Sequence, residues 1–222
     1  MLKVNHLAGF GAKRAQSPST RVLGLHFDGS NGATSTTDIH GHTCTFYGSA
    51  QISTTQSKFG GSSLKPAAGP SNYVGVAASS DFVLSGDFTI RFWLFTSDVT
   101  AEPLSMGGTN NWEFYFNGSG YPMLYSNGAS LGTGSATINS GAWKHIEIGR
   151  SGTALKVFAD GVSILSITTS ATFGNNANEL CIGDYFAHSG TNGVDGYIDD
   201  LEIFNGSCLN TANFTPPTAA FS

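Results

Sequence analysis

Charged side chains are scarce in this sequence of 222 residues, because Lys, Arg, Asp and Glu together make up only 11 % of it. The strong helix formers are therefore few, which disfavours a helical protein. The formal net charge of −5 argues against general nucleic-acid binding, which needs a basic surface. A continuous apolar run of about 18 residues is also missing, so we expect no membrane span.

Cysteine is equally scarce, with only Cys44, Cys181 and Cys208. The three are far apart and show no CxxC spacing, which disfavours a zinc site. An odd number favours reduced, buried thiols over a disulfide framework, although a Cys181–Cys208 bridge stays open if two late strands are neighbours. The N-terminus has no apolar core of about 7 to 15 residues, so no signal peptide is predicted.

What the sequence does contain is alternation, most clearly in the stretch 87–97, DFTIRFWLFTS. Phe88, Ile90, Phe92 and Leu94 alternate with polar or aromatic residues, and a period of two is typical of a strand. The apolar row should face a core and the other row a partly wet surface. We expect this stretch to be a central strand of a two-sheet sandwich.

About a dozen such strands follow one another, separated by turn signals such as Asn117-Gly118 and Asp160-Gly161. Strands at this spacing without a convincing helix predict an all-β fold, a two-sheet antiparallel sandwich or jelly roll. We place the domain at residues 21–217 and a C-terminal tail at 218–222, because Pro216 and Pro217 end the strand pattern.

Residues 1–20 differ from the rest, since Lys3, Lys13 and Arg14 are three of only ten cations in the chain. The segment has no period long enough for a stable element. It is either a floppy tail or a basic arm that orders against a partner.

Several sequence pieces in order carry a family resemblance. They are LHFDG at 25–29, SKFGGSSL at 57–64, GDFTIRFWLF at 86–95, WKHIEIGRSGTALKVFADGVSI at 143–164 and GYIDDLEIFNG at 196–206. The chain resembles a laminin G-like domain of the concanavalin A-like lectin/glucanase superfamily, of the kind found in bacteriophage structural proteins. The resemblance implies a jelly roll whose relatives bind glycans, proteins or calcium, and some of which cleave polysaccharides.

The resemblance also implies a calcium site. Family members can share a calcium ion between an acid near the start of the fold and one on the last strand, and Asp28 and Asp200 match those places. Ca²⁺ takes six to eight oxygen ligands, several of which loop carbonyls beside Asp28 could supply. The alternative is that Asp28 caps a turn and Asp200 holds backbone amides.

A glycan groove is the second expected site. Sugar rings stack on aromatic side chains, and five such residues could line the concave sheet face: Trp93, Trp112, Tyr115, Tyr121 and Tyr125. The alternative is that the two tryptophans fill space between the sheets or under a loop.

Catalytic acids do not fit the glucanase pattern of the superfamily, which is Glu-x-Asp-x-x-Glu along one strand. Here the last strand offers Asp199, Asp200 and Glu202, so that Asp200 and Glu202 share a face without a third acid at the needed spacing. Hydrolysis of a glycosidic bond needs paired carboxylates at a defined separation. A polysaccharide hydrolase is therefore disfavoured.

Together these observations predict a non-enzymatic bacteriophage virion structural protein, a head decoration or tail-surface protein at the virion surface. The arm 1–20 would bind other virion proteins and the sandwich would face outward, for assembly or for attachment to host-surface glycan. Since particles impose symmetry, a homo-oligomer is expected. A free carbohydrate-binding lectin module is the alternative.

Overall fold

The computed structural model describes residues 20–189 and 192–222, which form two antiparallel sheets. The predicted arm, 1–20, lies outside the described residues except for Thr20. A 3₁₀ helix, Ser80–Phe82, is the one helical element of the described part. The strands there are β1 Arg21–Leu25, β2 Cys44–Phe46, β3 Gln51–Ser53, β4 Ser63–Lys65, β5 Val74–Val76, β6 Phe88–Thr96, β7 Leu104–Met106, β8 Trp112–Phe116, β9 Pro122–Ser126, β10 Ala129–Thr133, β11 Lys144–Ser151, β12 Ala154–Ala159, β13 Val162–Thr168, β14 Leu180–Ile182 and β15 Gly196–Asn205.

The two sheets have eight and seven strands. The larger runs β13-β12-β11-β6-β15-β4-β3, with β1 added against β15, and the smaller runs β10-β9-β8-β7-β14-β5-β2. Every pairing between these strands is antiparallel. The prediction of an all-β, two-sheet antiparallel sandwich is confirmed.

The core lies between the sheets and is built from the apolar row of each strand. In β6, Phe88, Ile90, Phe92 and Leu94 are all fully buried, as the alternation predicts. Burying one such side chain stabilises the fold by roughly 1.5 to 3 kcal/mol. The sequence pattern missed three strands, β4, β7 and β10. They are only three to five residues long, and each contains a serine among its few residues, so the alternation is weak.

One end of the sandwich is closed by Arg150 at the end of β11, which is 1 % exposed. Its guanidinium donates to the carbonyl oxygens of Gly86, Leu84 and Ala171, which belong to two loops distant in sequence. It also lies 5.1 Å from the ring centroid of Phe88. A rigid fork with five donors suits this task, because it can bind several carbonyls at once.

The C-terminal segment, 206–222, crosses the outer face of the eight-stranded sheet. Asn210 donates to both carboxylate oxygens of Glu147 at 3.0 Å. Further on, the Phe221 ring stacks on His26 with 3.8 Å between centroids. Residues 218–222, which the sequence pattern sets apart as a tail, therefore pack against the sandwich.

No helix in the described part of the chain has the length and apolar character needed to cross a bilayer.

Candidate functional site

The outer face of the seven-stranded sheet carries a group of aromatic rings, several of which are partly exposed. In β8, Trp112, Phe114 and Phe116 point into the core, so the alternating Glu113 and Tyr115 point outward. The neighbouring strand and the loops over the sheet add Tyr125, Tyr47, Tyr73, Tyr185, Phe186 and His188. We call this surface the tyrosine face.

Two groups of rings lie on the tyrosine face. Tyr47 stacks on Tyr73 with 4.5 Å between ring centroids, and Tyr73 stacks on His188 at 4.1 Å. Tyr185 and Phe186, in the loop after β14, pack against each other at 4.4 Å. That loop lies on the sheet because Gly107, which follows β7, leaves room for the Phe186 ring.

The tyrosine face is acidic. Burial, with the charge of Glu113 next, raises the pKa of Glu102 to about 9, and burial also raises the pKa of Glu113. Glu102 lies just before β7 and is 1 % exposed, and its Oε1 has no hydrogen-bond partner among the described residues. Burial, with the charges of Glu113 and Glu102 next, raises the pKa of Tyr115.

Three potential metal ligands meet on the same face. A carboxylate oxygen of Glu179, Sγ of Cys181 and a ring nitrogen of His188 all lie within 4.8 Å of one another. The thiols of Cys44, Cys181 and Cys208 are all free, as the odd count predicts.

The structure does not bring all of the residues predicted to bind glycan onto one face. Trp93 lies on the outer face of the eight-stranded sheet, 6 % exposed, beneath Lys58, whose Nζ is 3.8 Å from the ring centroid. Trp112 fills the core and is 1 % exposed. Tyr115 and Tyr125 lie half-buried on the tyrosine face.

The two predicted calcium ligands contact different parts of the chain. Asp28 is exposed beside Gly60, where a side chain would overlap its carboxylate. Asp200 is buried, with Oδ1 2.9 Å from His26 Nδ1 and Oδ2 accepting from the Phe221 amide at 3.3 Å. A shared calcium ion stays a prediction.

The three acids of the last strand, Asp199, Asp200 and Glu202, bind backbone amides or basic side chains of the same chain. A β-bulge between Asp199 and Glu202, with Asp200 at φ 47°, turns all three carboxylates toward the outer face of the eight-stranded sheet. Asp199 accepts from the Lys58 amide at 2.7 Å. Glu202, 2 % exposed, is held by Arg21 at 2.8 Å.

The C-terminal segment leaves a cleft of about 1280 Å³ against this outer face, lined among others by Arg91, Trp93 and His145. The Arg91 Nε donates to Glu202 Oε2 at 2.6 Å. Burial lowers the pKa of His145 to about 4, and its Nδ1 has no partner among the described residues. The cleft is therefore a polar interior under a covering segment, whereas four rings of the tyrosine face are partly exposed, namely Tyr115, Tyr125, Tyr185 and Phe186.

Two antiparallel sheets packed as a sandwich are the architecture of a lectin-like jelly-roll domain. Its laminin G-like resemblance is confirmed by a family profile, described as the concanavalin A-like lectin/glucanases superfamily, that matches residues 68–212. The chain belongs to this superfamily. No curated protein matches the sequence.

Solved structures share the fold at low sequence identity. Domain 4 of AbnA, an extracellular arabinanase from Geobacillus stearothermophilus, in complex with arabinotriose, matches with a TM-score of 0.64 and 17 % identity, covering 86 % of this chain and 95 % of that one. The binding domain of Paraclostridial Mosquitocidal Protein 1 matches with a TM-score of 0.64 and 17 % identity. The botulinum neurotoxin serotype G binding domain matches with a TM-score of 0.62 and 15 % identity. Each alignment covers 86 % of this chain, but only 49 % and 48 % of those two chains.

Sequence reasoning identified Tyr115 and Tyr125 as candidates but missed the other rings of the tyrosine face. Tyr47, Tyr73 and His188 come from three separate segments, and no spacing connects them. The available signal was the alternation in β8 and β9, which places Glu113, Tyr115 and Tyr125 on one side.

Proposed function

We propose that this domain binds carbohydrate through the tyrosine face. The observation that carries the proposal is the set of half-buried rings, Tyr115, Tyr125, Tyr185 and Phe186, beside Glu113 on the outer side of the seven-stranded sheet. Sugars present apolar ring faces that stack on aromatic side chains, and hydroxyl groups that donate to carboxylates. The arabinotriose complex of a domain with this fold supports the same ligand class.

The decisive assay is binding of the full chain to a glycan array, followed by titration of any ligand found. Tyr115→Ala and Tyr125→Ala are each expected to weaken binding roughly 3- to 10-fold, since an aromatic contact is worth about 0.5 to 1.5 kcal/mol. Tyr197→Ala is the matched control, because this half-buried tyrosine lies on the opposite sheet against Phe95. Equal losses in all three variants, or no glycan bound at all, would contradict the proposal.

The proposal includes a calcium ion bound by Asp28 and Asp200. The array is therefore run with Ca²⁺ and with a chelator. Calcium-dependent binding would direct mutagenesis to these two carboxylates, whereas equal binding in both conditions would separate glycan recognition from calcium.

We further propose a non-enzymatic setting, as a bacteriophage virion structural protein at the head or tail surface that assembles as a homo-oligomer. The supporting observations are the resemblance to domains of phage structural proteins and the basic composition of residues 1–20. A non-catalytic role is supported by the acids of β15, which bind backbone amides and arginines.

Deleting residues 1–20 tests the virion proposal. We expect the truncated chain to keep the melting temperature of the full chain and to be lost from purified particles. Normal incorporation of the truncated chain would show that the arm does not bind the particle.

A further inference from the structure

Glu179, Cys181 and His188 carry three different kinds of metal-ligand atom at one place on the tyrosine face. Cys181 lies in β14 and is buried, Glu179 immediately precedes that strand, and His188 follows in the next loop. The His188 and Glu179 side chains are 26 % and 32 % exposed, so a cation can reach them from solvent. We propose that these three side chains bind one divalent cation of the zinc class.

The donor set selects the metal. Thiolate and imidazole are ligands of Zn²⁺ and similar transition metals, whereas Ca²⁺ and Mg²⁺ require oxygen ligands in larger number. The proposed site is therefore distinct in chemistry from the calcium expected at Asp28 and Asp200. Three protein ligands leave one position of a tetrahedral ion open.

Neighbouring groups already orient the two exposed ligands. Nδ1 of His188 lies 3.2 Å from Oδ2 of Asp184, a fully buried carboxylate. That contact holds the ring proton on Nδ1 and leaves the Nε2 lone pair on the side of Glu179, where Nε2 lies 4.0 Å from Oε1. Such carboxylate–histidine pairs are common behind metal-bound imidazoles.

Tyr73 and Gly75 position the remaining ligands. The Tyr73 hydroxyl donates to Glu179 Oε1 at 2.8 Å, and the same ring stacks on His188. Gly75 pairs with Cys181 across the sheet, and a side chain there would overlap the Glu179 carboxylate. The absence of a side chain at this position thus lets Glu179 lie over the strand beside the thiol.

The charge around the thiol favours a cation. The carboxylates of Glu179 and Asp184 lie close enough to Cys181 for their negative charge to favour a bound cation. On binding, the thiol transfers its proton to solvent and the thiolate sulfur becomes the ligand, so the metal replaces the proton. The bound dication then faces the carboxylates, and this does not depend on whether the domain binds glycan.

The test uses the full chain without a histidine tag, with reduced thiols, stripped of metal and titrated with Zn²⁺ by calorimetry and with Co²⁺ by absorption. We expect one equivalent of metal per chain and a thiolate-to-cobalt charge-transfer band. Cys181→Ser should abolish the band, and His188→Ala should weaken Zn²⁺ binding at least tenfold. Asp184→Asn should weaken it roughly 10- to 100-fold, as expected for a group that orients a ligand.

Cys44→Ser and Cys208→Ser are the matched controls, since both thiols are half-buried and lie outside the group. Both should keep the band and the stoichiometry. Each variant is first shown to melt like the parent chain without metal, and Glu179→Gln supplies a further ligand variant if Cys181→Ser fails to fold. A missing cobalt band, a band that persists in Cys181→Ser, or unchanged Zn²⁺ affinity in His188→Ala would overturn the proposal.

Discussion

Replacing Arg150 with alanine is expected to lower the free energy of unfolding by about 3 to 5 kcal/mol, because buried carbonyl groups lose their donors. Arg150 is 1 % exposed, and its guanidinium donates hydrogen bonds to the carbonyl oxygens of Gly86, Leu84 and Ala171. Each buried acceptor left unpaired costs about 1 to 3 kcal/mol, and the cavity adds to that cost. Since domains are stable by only about 5 to 15 kcal/mol, the loss is a large share.

Urea unfolding of the parent chain and the variant measures this difference. Arg150→Lys should recover only a part of the loss, because a single ammonium cannot reach carbonyls from two loops in the geometry of the fork. Lys156→Ala is the surface control: its ammonium donates to the Thr211 carbonyl at 2.7 Å in an exposed position, and we expect a change within about 1 kcal/mol. A change below that size for Arg150→Ala would show that water replaces the guanidinium without cost.

Stability should also fall by about 2 kcal/mol between pH 7 and pH 9 because of Glu102. Burial raises the pKa of this side chain from 4.5 to about 9, so the folded protein keeps the proton that the unfolded chain has released. The contribution is fully present below about pH 4.5 and is lost as the pH rises through about 9. Glu102→Gln, whose side chain stays neutral, should remove this fall in stability between pH 7 and pH 9.

Chemical denaturation at several pH values, with the parent chain and the variant in parallel, isolates the effect. The raised pKa of Glu147 and of Asp199, both about 7, and the lowered pKa of His145 contribute equally to the two proteins and cancel in the difference. Glu113→Gln tests the coupling between the two acids, because removing the Glu113 charge should lower the pKa of Glu102 and reduce the pH dependence without abolishing it. If the free energy of unfolding changed with pH in the same way for the parent chain and for Glu102→Gln, Glu102 would ionise freely in the folded state.

The two outer faces of the sandwich differ in what they can offer to a ligand. The eight-stranded sheet is covered by residues 206–222, and its charged groups satisfy one another, as in the pairing of Glu202 with Arg21 and Arg91. Within residues 20–189 and 192–222, the loop after β14 lies on the outer face of the seven-stranded sheet and adds Tyr185, Phe186 and His188 to that surface. For this reason both of our binding proposals lie on the tyrosine face.

The sequence by itself determined the fold class and most of the strands. The alternation in 88–96 is local, because neighbouring side chains of a strand point to opposite sides whatever the strand packs against. It therefore identified the buried row of β6 correctly, and the order of the motifs was specific enough to indicate the superfamily. Short strands such as Leu104–Met106 escaped because three residues carry too little periodicity.

Only the tertiary structure decided which side chains share a surface. Alternation says that Trp93 and Trp112 each lie on one side of a strand, but not that the first is covered by Lys58 and the second faces the core. It also cannot place Tyr47 beside Tyr73 and His188, because loops that are distant in sequence meet there through the packing of the whole sandwich. Residue spacing is a local quantity, whereas a binding face is assembled from non-local contacts, and so the fold was predictable and the candidate site was not.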